Sequence, residues 1–463
     1  MKNIINFFLT ICVAVFFSAY ANAKTKVSLW SESAAEPQFS ALNQIVADFN
    51  ASQDEIEVEH TAYENTPYET TLKTAFSGGT PADIVTINGG SNMYQYAEVG
   101  GLVDITDFVN SISDRIAPGV ESVYTFDGKL WGVPQGLHIG NLIWYRKDMF
   151  EEMGIDPKEM ETWSGFTGVA QKFLDAGITP IAFGNSEGWP GNHYNNHLLR
   201  RMLSTEDYIN IGLRTYNPTL EAGTKFNDPA AVKAWELYRS LLDNGYFTSG
   251  YLADDFPTAA GLMMTGKAPI FSNGSWVAGM IKDQAPDAPI GVMAFPAVEG
   301  APGTNTELVI NSVVLSITRG AVANDTVDAA KKFLDYYTTA AAVKVWSEAT
   351  QSLAPYTHDT SSWDYDPIIQ DISGIIATST SSAPFLDMLE DYACNVPHTW
   401  DASQGILTGD LTPQQAGDDH EQCVVQMTLP QLDTRAHTHT QPHGLKTQSP
   451  NAGRSAPDGT KGQ

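Results

Sequence analysis

Short apolar segments alternate with amphipathic ones through the first hundred residues. Apolar runs at 26–30, 56–60 and 83–87 predict three β-strands. Between them, helices are predicted at 41–49, where Leu42, Ile45 and Phe49 share one face, and at 68–76, which two glycines follow. The order strand, helix, strand, helix, strand predicts a parallel sheet with right-handed crossovers.

Ligands of parallel sheets bind beyond the carboxyl ends of the strands. The loop 31–36 follows the first predicted strand, and the loop 88–92 follows the third. We therefore expect these two loops to line a binding site.

A second alternating unit begins after Pro134. Strands are predicted at 142–145, 179–183 and 268–271, and a longer strand-like stretch spans 307–318. Helices are predicted at 147–153, 166–176, 229–244, 256–265 and 327–337. The chain of 463 residues is longer than one hydrophobic core usually supports, so two domains are expected.

The N-terminus has the pattern of a secretory signal peptide. Lys2 gives a positive start, residues 4–20 are apolar, and Ala21-Asn22-Ala23 forms a small-x-small cleavage site. We predict that residues 1–23 are removed on export to the periplasm, the alternative being an uncleaved anchor. Two cysteines then remain, Cys394 and Cys423. A bridge between them is compatible with an oxidising compartment, and the sequence leaves it open.

Acidic residues dominate the charge. There are 54 Asp and Glu against 26 Lys and Arg, a formal net charge of −28. Such a chain is a poor partner for nucleic acid and for an anionic membrane surface, and it favours a soluble monomer.

The segment 127–150, DGKLWGVPQGLHIGNLIWYRKDMF, resembles a signature of extracellular solute-binding proteins of the carbohydrate type (family 1). Further similar pieces follow in the same order, including SGGTPADIV at 77–85, GITPIAFGNSEGWP at 177–190 and GKAPIFSNGSWVAG at 266–279. The ordered set spans residues 27 to about 415. The closest look-alikes are the substrate-binding components of ABC sugar importers.

The resemblance implies an α/β, two-lobed periplasmic-binding-protein (Venus-flytrap) fold, in which each lobe is a mostly parallel sheet flanked by helices. It places residues 24–133 and about 300–352 in an N-terminal lobe, and residues 134–299 and about 353–419 in a C-terminal lobe. A sugar would bind in the cleft between the lobes, and the closed protein would dock on the membrane permease of an importer. No cofactor, metal or catalytic residue is implied.

A sugar site needs aromatic faces for the C–H faces of the ring, and carboxylates and amides for its hydroxyls. We sought such side chains in loops that follow predicted strands, at the crossover after Val133-Pro134, and in Gly/Pro-rich loops. The candidates are Trp30, Glu32, Glu36, Asn88, Ser91, Asn92, His138, Trp189, Asp255, Trp276 and Asn311. For Glu32 and Glu36 the competing interpretation is a solvated loop, for Asn88, Ser91 and Asn92 an ordinary turn, and for His138 a structural role.

Three motifs favour other chemistry. Residues 184–188 match the G-x-S-x-G nucleophile elbow around Ser186, but Pro190 is expected to prevent the helix that must follow. His193 and His197 have the spacing of a zinc pair on a helix but lack the HExxH glutamate. A His-rich tract runs from His437 to His443. The alternatives to an import receptor are therefore a secreted hydrolase using Ser186 and a sugar-sensing or surface-binding module without transport.

The sequence changes character at about His420. Residues 420–463 lose helical periodicity and are rich in Pro, Thr, Gln and Gly. We interpret this segment as an atypical, disordered tail or a frameshifted reading of the natural end, which leaves the second lobe without its terminal helix.

Overall fold

The computed structural model describes residues 24–117, 120–217, 220 and 223–439. Residues 1–23, the predicted signal peptide, and residues 440–463 of the predicted tail lie outside the described residues. No helix of the described part is long and apolar enough to cross a bilayer.

Strands and helices alternate at the start of the chain as predicted. They are β1 (Thr25–Ser31), α1 (Gln38–Ser52), β2 (Ile56–Ala62), α2 (Asn65–Gly78), β3 (Ile84–Asn88), α3 (Ser91–Glu98), α4 (Thr106–Ser111), β4 (Thr125–Phe126), β5 (Lys129–Leu130) and β6 (Val133–Pro134). Short 3-10 turns at Ser113–Arg115 and Val120–Tyr124 separate α4 from β4.

The middle of the chain is richer in helices. Its elements are β7 (His138–Ile139), β8 (Leu142–Arg146), α5 (Lys147–Glu152), α6 (Trp163–Asp175), α7 (Trp189–Met202), α8 (Thr205–Leu213), α9 (Pro229–Asp243), α10 (Phe256–Met264), β9 (Ile270–Ser272), α11 (Val277–Gln284), β10 (Ile290–Ala294) and β11 (Glu307–Asn311). A 3-10 turn, Pro157–Glu161, precedes α6.

The last part returns to the first sheet and then leaves it again. Its elements are β12 (Val313–Ile317), α12 (Arg319–Ala323), α13 (Val327–Tyr337), α14 (Ala340–Thr350), α15 (Pro367–Ala377), β13 (Ser381–Pro384), α16 (Leu386–Leu389), α17 (Tyr392–Asn395), α18 (Ala402–Thr408) and α19 (Pro413–His439), with a π-helical turn at Val396–Asp401.

The largest sheet has the strand order β2-β1-β3-β12-β6. Strands β2, β1 and β3 are parallel, as the alternation of strands and helices predicts, whereas β12 runs antiparallel to both β3 and β6. Two smaller sheets, β10-β8-β9 and β13-β11-β7, are antiparallel apart from the parallel pair β11 and β13. The prediction that the sheets are mostly parallel is therefore wrong outside β1–β3. In the rest of the structure, neighbouring strands are mostly not joined by a strand–helix–strand crossover.

Three hydrophobic cores divide the chain into two lobes. The core of the first lobe combines residues between Val27 and Val133 with residues between Val309 and Tyr356, and Phe385 and Met388 pack into it from the second lobe. The two cores of the second lobe combine residues between Ile139 and Leu308 with residues from Ile368 to Val424. The predicted domain boundaries agree with this grouping in outline and remain a prediction.

One extended segment belongs to both lobes. Strand β11 pairs with β7, which sets Asn311 opposite His138. After Ser312 the chain continues as β12, which pairs with β3 and sets Val313 opposite Asn88. The predicted strand 307–318 is thus two strands, because the chain passes from one sheet to another at Ser312.

Two helices stand where loops were expected. Helix α3 begins directly after Gly90, and α7 begins at Trp189, with Pro190 in its first turn. Proline is favourable in a first turn because its missing N–H has no partner there, so the expectation that Pro190 prevents a helix is wrong. The predicted strand at 179–183 is reduced to single bridges at Ile181.

The prediction of a tail without structure from His420 is wrong for residues 420–439, which continue helix α19. His420 is buried and bonded to Glu390, and the Glu421 carboxylate accepts two hydrogen bonds from Arg214. Cys423 forms a disulfide with Cys394, which settles the pairing that the sequence left open. The helix has no amphipathic periodicity in its sequence. These specific contacts help to hold it against the rest of the protein.

Candidate functional site

A polar pocket lies where β1 and β3 end, against the second lobe. Its cavity volume is about 30 Å³, and it opens to solvent. Three of the predicted side chains line it, namely Glu32 after β1, Asn88 at the end of β3, and Asn92 in the first turn of α3. The parallel strands β1 and β3 bring these residues together, as the sequence predicts.

Glu32 is held by its backbone rather than by its carboxylate. Its N–H donates to the hydroxyl of Thr86 at 3.4 Å, and no hydrogen bond to its carboxylate is formed by the described residues. Burial raises the pKa of Glu32 to about 7, and the carboxylate of Glu69 adds to the shift. Glu32 is therefore a hydrogen-bonding group without a partner at the wall of the pocket.

Ser91 takes part in a contact between the lobes instead of lining the pocket. It is buried, and its hydroxyl donates to the backbone carbonyl of Asp387 at 2.5 Å. The preceding Gly90 has φ +68°, and a Cβ atom there would lie 2.1 Å from the carbonyl oxygen of Met388. The glycine therefore permits the close approach of α16 to the first lobe.

An aromatic cluster occupies the second lobe beside the crossing strands. The rings of Trp189 and Trp276 are 6.3 Å apart, and that of His138 is 5.9 Å from Trp276. His193, one turn into α7, lies 4.9 Å from Trp189 and 5.8 Å from Trp276. Both tryptophans are partly exposed, so this cluster presents aromatic surface that a ligand can contact.

The histidines of the cluster are neutral near pH 7. Burial lowers the pKa of His138 to about 4 and that of His193 to about 3. A neutral imidazole both donates and accepts a hydrogen bond, and Nδ1 of His193 has no partner among the described residues. His197 shares this environment, and no group of three metal-ligating side chains occurs in the described part of the chain.

The crossing strands connect the pocket with the aromatic cluster. Asn311 lies opposite His138, and two residues later Val313 lies opposite Asn88. Two residues of extended chain span about 7 Å, so the two surfaces are neighbours. Oδ1 of Asn311 is buried without a hydrogen-bond partner in the described region. The predicted candidates Asn88, His138 and Asn311 are thus brought together.

Three other candidates have structural contacts elsewhere. Glu36 is exposed and accepts hydrogen bonds from the hydroxyl and N–H of Ser40, at the start of α1. Asp255 is the N-cap of α10 and accepts from the N–H of Thr258. Trp30 packs edge-on against Tyr63 at 5.7 Å and is not part of the pocket wall. For Glu36 and Asp255 the solvated-loop interpretation is closer to the structure.

Sequence reasoning missed most of the pocket wall, including its polar residues Glu69, Lys73, Tyr96 and Tyr392. Glu69 and Lys73 lie one turn apart on α2. Charged residues at this spacing in a sequence indicate the solvent-exposed face of a helix. Tyr392 is 323 residues from Glu69, to which its hydroxyl donates at 2.5 Å. The sequence carries no local signal for such a contact.

Ser186 does not have the setting of a nucleophile. Its side chain is exposed, and none of the described histidines forms a hydrogen bond with its hydroxyl. Ser186 instead takes part in backbone contacts, since its N–H donates to Asp254 and its carbonyl accepts from Gln404. The G-x-S-x-G match thus coincides with a loop that positions α7.

Comparison with known proteins identifies the family. The family model described as bacterial extracellular solute-binding protein matches residues 44–371. An uncharacterized ABC transporter extracellular-binding protein of Pyrococcus horikoshii is 27% identical over 300 residues, which are 64% of this chain and 63% of that protein. A multiple sugar-binding protein of Streptococcus mutans is 25% identical over 316 residues, 68% of this chain and 71% of that protein.

The fold agrees with this assignment. The structure of a chitin oligosaccharide binding protein superposes with a TM-score of 0.78 at 21% identity, covering 88% of this chain and 99% of that one. The family that the matching model describes consists of solute-binding proteins. On the family match and the shared fold, the chain belongs to the bacterial extracellular solute-binding proteins.

Proposed function

We propose that this protein captures a sugar between its lobes and delivers it to the permease of an ABC importer. One observation carries the proposal: the strand segment around Ser312 joins a pocket of carboxylate and amide groups to a cluster of tryptophans. A sugar needs both kinds of surface at short range. The relatives named for sugar and oligosaccharide binding support the same class of ligand.

Each surface has a defined part. Glu32, Asn88 and Asn92 accept and donate hydrogen bonds to sugar hydroxyls, which would otherwise be costly to bury. Trp189 and Trp276 stack on the C–H faces of the ring, and His138 and Asn311 bond to hydroxyls between the two surfaces. The remaining candidates, Trp30, Glu36, Ser91 and Asp255, take no direct part.

Transport follows from movement of the lobes. Closure around the sugar orders the contacts between α16, α17 and the first lobe, and the closed form docks on the permease as a monomer. We place the protein in the periplasm, after removal of residues 1–23. Its strong negative charge keeps it soluble there.

A thermal-shift screen tests the proposal. The chain without residues 1–23 is heated with mono-, di- and trisaccharides, and with amino acids and polyamines as controls. A ligand at a hundredfold excess over its Kd stabilises the folded state by ~2.7 kcal/mol. We expect a sugar to raise Tm, and Trp276→Ala or Trp189→Ala to abolish that rise.

The matched control is Trp363→Ala. Trp363 is also partly exposed, but its ring packs on Tyr365, 6.1 Å away, outside the cluster. This variant should keep the sugar-induced rise. The carbohydrate assignment is wrong if only non-sugar solutes raise Tm.

A further inference from the structure

The pocket wall holds more negative than positive charge. Glu32 and Glu69 line it together with one cation, Lys73. The ammonium of Lys73 lies 4.0 Å from the centre of the Tyr392 ring, and it forms no ion pair with either glutamate. Within the described residues, neither carboxylate has a salt-bridge partner, and the ammonium of Lys73 acts on Glu69 only from a distance.

A third carboxylate lies beside the pocket, on the second lobe. Asp387 in α16 is close enough to Glu69 for the two to repel each other. Burial raises the pKa of Asp387 to about 7, and repulsion by Glu69 raises it further. Burial also raises the pKa of Glu69, although the hydroxyl of Tyr392 and the ammonium of Lys73 act against this shift. Three carboxylates, those of Glu32, Glu69 and Asp387, thus lie at or beside a pocket that one ammonium group lines, that of Lys73.

Tyr96 gives an independent indication of a ligand. Only 7% of this residue is exposed, and its ring stacks on Phe76 at 4.1 Å, which fixes its orientation. It lines the pocket, yet its hydroxyl forms no hydrogen bond with any described residue. Tyrosine hydroxyls at such sites usually have a hydrogen-bond partner, and a ligand in the pocket would supply one.

We propose that this pocket receives the protonated amine of an amino sugar, an inference that rests on the proposed sugar-binding function. The ammonium lies between Glu32 and Glu69 and gives each a charge-assisted hydrogen bond. The hydroxyl of Tyr96 bonds to the neighbouring sugar oxygen, and the tryptophans contact the ring or the next residue of the ligand.

Other sugar classes fit less well. An anionic sugar, such as a uronic acid or a sugar phosphate, would add a negative charge beside two carboxylates. A neutral sugar satisfies hydrogen bonds but leaves the repulsion between the carboxylates in place. The overall charge of −28 further favours encounter with a cation.

Calorimetric titration of the chain without residues 1–23 tests the inference at pH 7. The probes are glucosamine, N-acetylglucosamine and glucose, galactosamine and galactose, and β-1,4-linked dimers and trimers of the three gluco units. We expect an amine-bearing sugar to bind at least about tenfold more tightly than its neutral and N-acetylated counterparts, because removal of one partner from a buried charge pair is costly.

Variants identify the groups responsible. Glu32→Gln and Glu69→Gln should bring the affinity ratio of amine to neutral sugar close to one, whereas Glu151→Gln, on the exposed face of α5, should keep it. Circular dichroism confirms that each variant is folded. A ratio that stays unchanged in both pocket variants would overturn the inference.

The outcomes separate the two proposals. If a neutral or N-acetylated sugar binds as tightly as its amine counterpart, the amino-sugar inference is wrong and the sugar-binding proposal stands. If no sugar binds to the folded protein, or only a polyamine such as spermidine does, both are wrong.

Discussion

The hydroxyl of Tyr392 donates a 2.5 Å hydrogen bond to the carboxylate of Glu69, and this bond joins the two lobes. Tyr392 belongs to α17 of the second lobe, whereas Glu69 belongs to α2 of the first. The ammonium of Lys73 lies over the same tyrosine ring. One aromatic side chain is thus both a wall of the pocket and a contact that holds the lobes together.

Tyr392→Phe should weaken sugar binding about tenfold, because a hydrogen bond to a charged acceptor contributes roughly 1.5–3 kcal/mol and is made only when the lobes meet. Calorimetric Kd measurement with the sugar found by screening checks this. Tyr336→Phe is the matched control, since Tyr336 lies on α13 and packs on Phe49. Equal affinity of Tyr392→Phe and the original chain would contradict a role in closure.

Glu32→Gln should make the unliganded protein more stable than the original chain at pH 8, and equally stable at pH 4. The pKa of Glu32 is about 7 when folded, against a usual value of 4.5. The folded state therefore binds the proton of the Glu32 carboxyl more tightly than the unfolded state does. The stability that this proton contributes is fully present below pH 4.5 and is lost as the pH rises to 7.

The gain at pH 8 should be on the order of 2 kcal/mol, measured by urea unfolding. Above pH 7 the difference should remain constant. A Gln variant that is less stable than the original chain at pH 8 would show that the carboxyl is stabilised in its charged form instead.

Replacing both Cys394 and Cys423 by Ser should lower the free energy of unfolding by about 2–4 kcal/mol, because the bridge closes a loop in the unfolded chain. The two residues are 29 apart in sequence, and the bridge ties α17 to α19. Sugar affinity should fall as well, since Tyr392 lies in the tethered turn. Denaturant unfolding and titration check both effects, and the original chain under reducing conditions should match the variant.

A chain that ends at residue 419 should be far less stable than one that ends at residue 439. The shorter chain lacks the contacts of His420 with Glu390, of Glu421 with Arg214, and the disulfide. Leaving the Arg214 guanidinium without its ion-pair partner costs about 3–5 kcal/mol, and Glu390 keeps only its hydrogen bond from Asn395. Thermal unfolding of the two truncated chains measures the difference, and equal Tm values would support a dispensable segment after His420.

Several of the longer regular elements could be predicted from local patterns. Helix α13 begins and ends as predicted, at Val327 and Tyr337, because its buried residues repeat at helical spacing. Helix α7 was missed because it is buried on all sides although it carries polar residues such as Asn192, His197 and Arg200. A helix whose polar side chains are buried has no amphipathic pattern to read.

The site was predicted only where local order determines it. Glu32 and Asn88 lie at the carboxyl ends of neighbouring parallel strands. The strand–helix–strand order of the sequence predicts that these ends meet at one edge of the sheet. Glu69 and Tyr392 meet because α17 packs against the first lobe, where the disulfide to α19 helps to hold it. Contacts of that kind depend on tertiary packing, which a single sequence does not reveal.

Ser312 lies between a strand of one sheet and a strand of another, and both strands are held by hydrogen bonds on either side of it. A rotation of the lobes about this segment is compatible with both strand pairings. A translation of the lobes along the segment would break the hydrogen bonds of one of them. The spacing of the polar pocket and the aromatic cluster is then set by covalent chain length rather than by the degree of closure. Insertion of a single residue at Ser312 would shift the register of one of the two strands by one position, and its side chains would then face the opposite side of their sheet.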